Sequence, residues 1–231
     1  MGSADWIAEV SHELRLPIAN IKLLLETLLN GALEDKAIAT RMLMRAQAET
    51  ERLQSLVSDL LSVEQLASAR SEVQAEWQPL LNRARYALES TSKLAKECGV
   101  KVELKIPNEF RVYANPTQLD QVLLNLLENA IKFTPEKGLV TIRAGDKEGV
   151  FSVEDTGIGM PSQEIPKIFQ RFYRIDRAKT RGSTGLGLSI VKHILDLHGA
   201  KITVTSQEGK GSIFLLEFPS PKWAIPRAGE Q

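Results

Sequence analysis

The 231-residue sequence holds a single cysteine, Cys98, so no disulfide framework exists and a reducing compartment is expected. Cys98 follows a helical pattern and precedes a strand pattern, which suits a buried, inert thiol. Charge of one sign is also missing. Lysine and arginine number 29 and so do aspartate and glutamate, and no basic excess points to nucleic acid or an anionic membrane. Long apolar runs are absent too: the richest, IKLLLETLLNGAL, is interrupted by Lys22 and Glu26 and is no membrane span. No signal peptide is recognisable, and Met1-Gly2-Ser3 reads as a cloning remnant. A chain entering a helix pattern this early is expected to be the soluble end of something longer. What remains, 43% apolar and 25% charged residues, is enough for a soluble protein with a real core.

Two periodicities divide the chain. Ile7, Val10, Leu14, Ile21, Leu24 and Leu28 mark an apolar seam of threes and fours, passing Pro17 and ending before Asn30-Gly31. A second helix is expected from about 35 to 67, with the seam Leu53, Leu56, Leu60, Val63 and Ala67. Such a hairpin cannot bury both stripes alone, so a homodimeric four-helix bundle is the economical arrangement. Beyond the polar stretch 68–76 the periods mix. Helices are expected at 79–98, 117–133 and 186–198, and strands at 100–106, 110–114, 139–145, 149–155, 201–207 and 211–218. That mixture predicts an α/β sandwich, helices on one face of a mixed sheet. The expected division is 4–68 helical, 69–76 linker, 77–219 sandwich and 220–231 a Pro-containing tail.

Candidate chemistry starts in QVLLNLLENAIKF. Asn125 and Asn129 share a helix face, with Lys132 one turn on. Amide oxygens can ligand a hard cation beside phosphate oxygens, and lysine can neutralise phosphate charge. Asparagines on a helix can also simply face water, but leucines 123, 124, 126 and 127 make this helix largely buried, where unpaired amides are costly. In EDTGIGM, Asp155 ends a strand, where its carboxylate can accept from an exocyclic amine such as that of adenine, and Gly157 and Gly159 let the backbone turn sharply. GSTGLGLS places Gly182, Gly185 and Gly187 before a helix whose first amides can receive phosphate. It matches neither a P-loop nor the dinucleotide fingerprint. Near the start, VSHELRLP sets His12 beside Glu13, with Leu16 one turn along and Pro17 next. With Ile7 at heptad position a, His12 falls at f, the most exposed position, and Pro17 is expected to bend the helix within a turn of it.

With these stretches together, the chain resembles the catalytic core of a two-component sensor histidine kinase. VSHELRLP is similar to the H box, NLLENAIKF to the N box, DTGIG to the first glycine box, IFQRFYR to the F box, GSTGLGLSI to the second glycine box and GKGSIF to the third. The H-box pattern resembles the phosphate-sensor branch. The resemblance implies a dimerisation and phosphoacceptor hairpin followed by an ATP-binding domain of the Bergerat (GHKL) type, using ATP and Mg2+. It implies His12 as phosphoacceptor, Glu13 as its acidic neighbour, and Arg174 as the F-box arginine near the γ-phosphate. Asn125 and Asn129 would hold magnesium and phosphates, Lys132 would bind phosphate, and Phe133 closes the N box. Asp155 would read adenine between Gly157 and Gly159, and Thr184, Gly185, Leu186 and Gly187 would form the lid end of a span at about 170–184.

The implied partners are a second copy and a response-regulator receiver domain, with no nucleic acid and, in this stretch, no membrane. The implied location is cytoplasmic, with a parent protein that is membrane-bound or carries a sensor domain. Two readings compete. Clamp-like hydrolases of the same ATP fold carry a glutamate at the first N-box position, where this chain has Asn125; Glu128 lies about 300° around the helix from it. A degenerate kinase serving as an ATP-sensing scaffold would lack a motif residue of the ATP site, and none is missing. Relatives often carry threonine or asparagine at the position of Leu16, orienting water that hydrolyses the regulator's aspartyl phosphate. Leucine cannot hold that water, so weak phosphatase activity is expected.

Overall fold

A computed structural model of the chain describes residues 3–68, 74–175 and 184–221. Parts of the expected linker, lid and tail, and Gly182 with them, lie outside the described residues, as do the side chains of Ile7, Val63 and Ala67. The described residues form two compact units, one of 3–65 with 184–186 and one of 66–68, 74–175 and 187–221.

The first unit is a helical hairpin. Helix α1 (Ser3–Leu29) runs without interruption through Pro17, and Gly31, in the left-handed region, turns the chain into a short 3-10 segment, Ala32–Glu34. Helix α2 (Lys36–Ser68) starts on Asp35, whose Oδ1 accepts the N–H groups of Ala37 and Ile38. The apolar seam is where the sequence puts it. Leu28 and Leu56 are buried, and Val10, Leu14, Ile21, Leu24, Leu53 and Leu60 are half-buried. Off the seam, Ile18, Leu23, Leu25, Leu29, Leu43, Met44, Val57 and Leu61 are exposed. A single hairpin therefore leaves much apolar surface in water.

The second unit is the α/β sandwich. Strand β1 (Glu76–Pro79) pairs antiparallel with β3 (Arg111–Ala114) as a separate ribbon. β1 is absent from the sequence-based expectations, because four residues carrying Pro79 show no clear period; its first residue, Glu76, lies in the polar stretch expected as linker. The main sheet takes β2 (Lys101–Lys105), β4 (Leu139–Ala144), β5 (Val150–Asp155), β6 (Lys201–Gln207) and β7 (Gly211–Glu217) in the order β2-β4-β5-β7-β6. The pair β2–β4 is parallel and the rest antiparallel, so the sheet is mixed.

Helices α3 (Leu80–Cys98), α4 (Pro116–Phe133) and α5 (Gly187–Leu197) complete the sandwich. Val140, Ile142, Phe151, Val153, Phe214 and Leu216 share one sheet face by register, and all are buried with Leu119, Leu123, Leu126, Leu127 and Ile131 of α4. Asn115 caps α4 by accepting the N–H of Gln118, with Pro116 at its first position. His198, just after α5, accepts the Asn115 N–H on Nε2 (3.1 Å) and donates from Nδ1 to the Ile194 carbonyl (2.8 Å). Burial lowers its pKa below the ordinary 6.5, which keeps the ring neutral for both bonds. Cys98 is a free thiol, half-buried rather than buried as expected, because it sits in the last turn of α3.

Candidate ATP and phosphoacceptor sites

Asp155 is held at the end of β5 by backbone. The N–H groups of Gly157 (2.8 Å) and Ser212 (3.2 Å) both donate to its Oδ1, which fixes the carboxylate plane. Burial pushes the carboxyl above the usual aspartate value, and the two N–H donors pull the other way. The chain can approach this closely because two neighbours lack a Cβ. At Gly157 a Cβ would stand 2.5 Å from the Phe133 carbonyl oxygen and 2.6 Å from Asp155 Oδ1, and at Gly211 it would stand 1.9 Å from the Asp155 carbonyl oxygen. The sequence points to Gly157, with Gly159, as a place where the backbone turns sharply and approaches a ligand closely. In the structure Gly157 and Gly211 both admit close approach of the chain around Asp155, and Gly211 and Ser212 join the site without a role foreseen for them. Their signal was the third glycine box.

Asn125 and Asn129 project from α4 toward the start of α5. A Cβ at Gly187 would lie 3.1 Å from Asn125 Oδ1 and 3.8 Å from Asn129 Nδ2, so glycine there keeps the space before both amides open. Asn125 Nδ2 is buried with no hydrogen-bond partner among the described residues, a cost that a bound ligand would remove. Lys132 Nζ pairs with Glu128 Oε2 at 2.8 Å, the geometry of an i,i+4 pair at the helix surface. The Phe133 carbonyl accepts the N–H of Ile158, tying the end of α4 to the loop after β5. Among the described residues no group of three acidic, histidine or cysteine side chains is placed to hold a metal.

A shallow cavity of about 340 Å³ also touches Asp155, but it is lined by Lys105, Thr141, Arg143, Glu154 and Ile213 and by neither asparagine. By register those residues share the sheet face opposite the buried one, where Arg143 pairs with Glu154 at 3.0 Å. It is a groove of the open face, distinct from the space before Asn125. On the segment after Met160, Tyr173 donates to Glu164, which also pairs with Lys167 at 3.3 Å, and Arg174 is half-buried next to this cluster in sequence. Thr184, Gly185 and Leu186 fall in the hairpin unit, where Thr184 Oγ1 donates to Asp59 Oδ2 (2.6 Å) and accepts the Leu186 N–H (3.2 Å). Of the four expected lid-end residues, Gly187 lies beside the asparagines.

In the hairpin, the His12 side chain is 66% exposed and Glu13, its neighbour, 12%, with Nδ1 of the ring 3.8 Å from Glu13 Oε1. Leu16 is 42% exposed on the same side, and Pro17 beside it is buried.

Residues 3–69 match the family described as His Kinase A (phospho-acceptor) domain, and residues 114–222 match Histidine kinase-, DNA gyrase B-, and HSP90-like ATPase. The chain belongs to the sensor histidine kinases. Sensor histidine kinase WalK of Bacillus subtilis is 39% identical over 222 residues, covering 93% of this kinase chain and 36% of WalK. The phosphate regulon sensor protein PhoR of Pseudomonas aeruginosa is 36% identical over 220 residues, covering 93% and 49%. The chain thus spans about a third to a half of the length of these relatives. Among solved structures, histidine kinase ThkA in complex with response regulator protein TrrA superposes with a TM-score of 0.72 at 27% identity, covering 93% of this kinase chain and 61% of that one.

Proposed function

We propose that this chain is the core of a sensor kinase that moves the γ-phosphoryl group of ATP to His12 and then to an aspartate of a response regulator. The observation that carries the reading is the pairing of two prepared ends in one half of the chain: Asp155, fixed through Oδ1, and the open space that Gly187 leaves before Asn125 and Asn129. Asp155 Oδ2 accepts the adenine amine, and the asparagine amides face the phosphates. Magnesium, held by the oxygens of Asn125 and Asn129, would offset phosphate charge, with Lys132 released from Glu128 and Arg174 adding to it. His12 has the exposure a phosphoacceptor needs to meet first a nucleotide and then a regulator. The regulator as partner is supported by the ThkA complex with TrrA. A second copy as partner is supported by the exposed leucines of both helices.

The reading implies a bias. Leu16 presents an apolar side chain where water would have to be held for dephosphorylation. This kinase therefore phosphorylates its regulator well and dephosphorylates it poorly. The test of the main reading is incubation with γ-labelled ATP and Mg2+. Stable, acid-labile label on the chain supports it. Free phosphate without label supports the hydrolase, and neither supports an ATP-sensing scaffold.

A further inference from the structure

The hairpin contains a line of polar contacts for which phosphotransfer by His12 alone has no use. Glu13 Oε2 stands 3.5 Å from Nη2 of Arg52 on α2, a loose ion pair rather than a tight fork. Arg52 is held in turn, with Nη1 3.7 Å from Glu49 Oε2 one turn back along α2. Asn20 Nδ2 donates to the other oxygen of Glu49 at 3.2 Å. The line His12–Glu13–Arg52–Glu49–Asn20 therefore joins α1 to α2 at two levels. Arg52 is only 18% exposed, and Glu49 Oε2 is buried without a hydrogen bond among the described residues. Taking two carboxylates and a guanidinium partly out of water costs more than apolar side chains of similar volume would. Stability alone does not explain them beside a seam that already supplies apolar contact. What they fix is the position of one carboxylate.

Resting on the phosphotransfer reading above, we infer that Arg52 is a positioning residue for that reaction: it holds Glu13 Oε2 so that Oε1 stays near His12 Nδ1, 3.8 Å away and a small rotation from hydrogen-bond distance. In the step itself the Nε2 lone pair forms the N–P bond. The bond from the γ-phosphorus to the bridging oxygen breaks, and ADP leaves with that electron pair. The Nδ1 proton passes to Glu13 Oε1. A glutamate free on a helix surface divides its time among several rotamers. One tethered through its second oxygen does not, and a correctly placed base matters at the moment the ring becomes positive.

Four variants of this chain test this: Arg52→Met, Arg52→Lys, Glu13→Gln and the double Glu13→Gln/Arg52→Met. At saturating ATP, Arg52→Met should slow labelling of His12 about tenfold, a fraction of what a general base contributes, with ATP affinity unchanged. Arg52→Lys should restore part of the rate. In the Glu13→Gln background Arg52→Met should change nothing further, because its effect runs through Glu13. A readout that needs no turnover is the imidazole tautomer, from the nitrogen shifts of neutral His12. It should be Nδ1–H in the parent chain and a mixture in Arg52→Met. Wild-type labelling in Arg52→Met, or a loss that multiplies with that of Glu13→Gln, overturns the inference. A parent chain that takes no label overturns the kinase reading instead, and the tautomer comparison still decides whether Arg52 holds Glu13. Should Arg52→Met fail to fold, Glu49→Gln, which loosens the other arm of Arg52, takes its place. It should give a smaller slowing that likewise vanishes with Glu13→Gln, and one that persists there overturns the inference.

Discussion

The hairpin and the sandwich bury their apolar side chains to very different degrees. In α4 of the sandwich Leu119, Val122, Leu123, Leu126, Leu127 and Ile131 are all buried, against a sheet whose inward positions are buried as well. In the hairpin Leu28 and Leu56 are buried, while Leu23, Leu25, Leu29 and Leu61 lie in water. One unit buries its apolar side chains within a single chain, and the other leaves many of them in water. The same contrast holds for polar groups. Asp155 is bound by backbone N–H groups that a folded sheet cannot withdraw, whereas Glu13 is held by long side chains. On the proposed function, the nucleotide reader has a rigid frame and the phosphoacceptor an accessible one.

The largest effect that would sharpen this contrast is in the core. Leu126→Ala should cost the sandwich about 2–5 kcal/mol, read as a loss in its own thermal transition. Leu23→Ala should leave that transition alone and weaken only the concentration-dependent melting of the hairpin. Equal effects of the two would erase the distinction. Next, Asp155→Asn should weaken ATP binding by about 1–3 kcal/mol, since Oδ2 no longer accepts. The raised Asp155 pKa means the folded sandwich tolerates the ionised form worse than the unfolded chain does. Its contribution to stability is full below the unfolded value and is lost as pH rises through the folded one. At neutral pH Asp155→Asn should therefore raise the melting temperature slightly while ATP binding falls. A variant that loses both is misfolded rather than missing an acceptor.

His198 has the opposite sign. Its lowered pKa leaves its stabilisation full above the ordinary 6.5 and removes it as pH falls through the lowered value, when Nε2 can no longer accept from Asn115. The sandwich transition should drop over that range, and His198→Gln should flatten the drop. The smallest expected change is Leu16→Thr, which should speed dephosphorylation of the phospho-regulator without a matching change in labelling of His12. Brisk dephosphorylation by the parent chain, unimproved by threonine, would remove the proposed bias.

Much of this was legible in residue order. The seams of α1 and α2 follow from threes and fours, and α4 and the five main strands follow from period and punctuation. Asn125, Asn129 and Asp155 were marked by residue type at a helical or strand-end spacing. Three things were not legible. β1 exists through pairing with β3, a contact between positions some thirty-five residues apart that no local period encodes. The hold of Ser212 on Asp155 crosses the sheet by register. Arg52 sits beside the seam residue Leu53 and looks like any helix-surface arginine until α1 is laid against it.

The central claim is that one half of the chain holds the nucleophile and the other the nucleotide. The measurement that tests it most directly is His12→Gln, followed in parallel for label from γ-labelled ATP and for ATP affinity. The account predicts that acid-labile label disappears while ATP binds as tightly as to the parent chain. Persistent labelling, or a loss of ATP affinity as large as the loss of label, would contradict it.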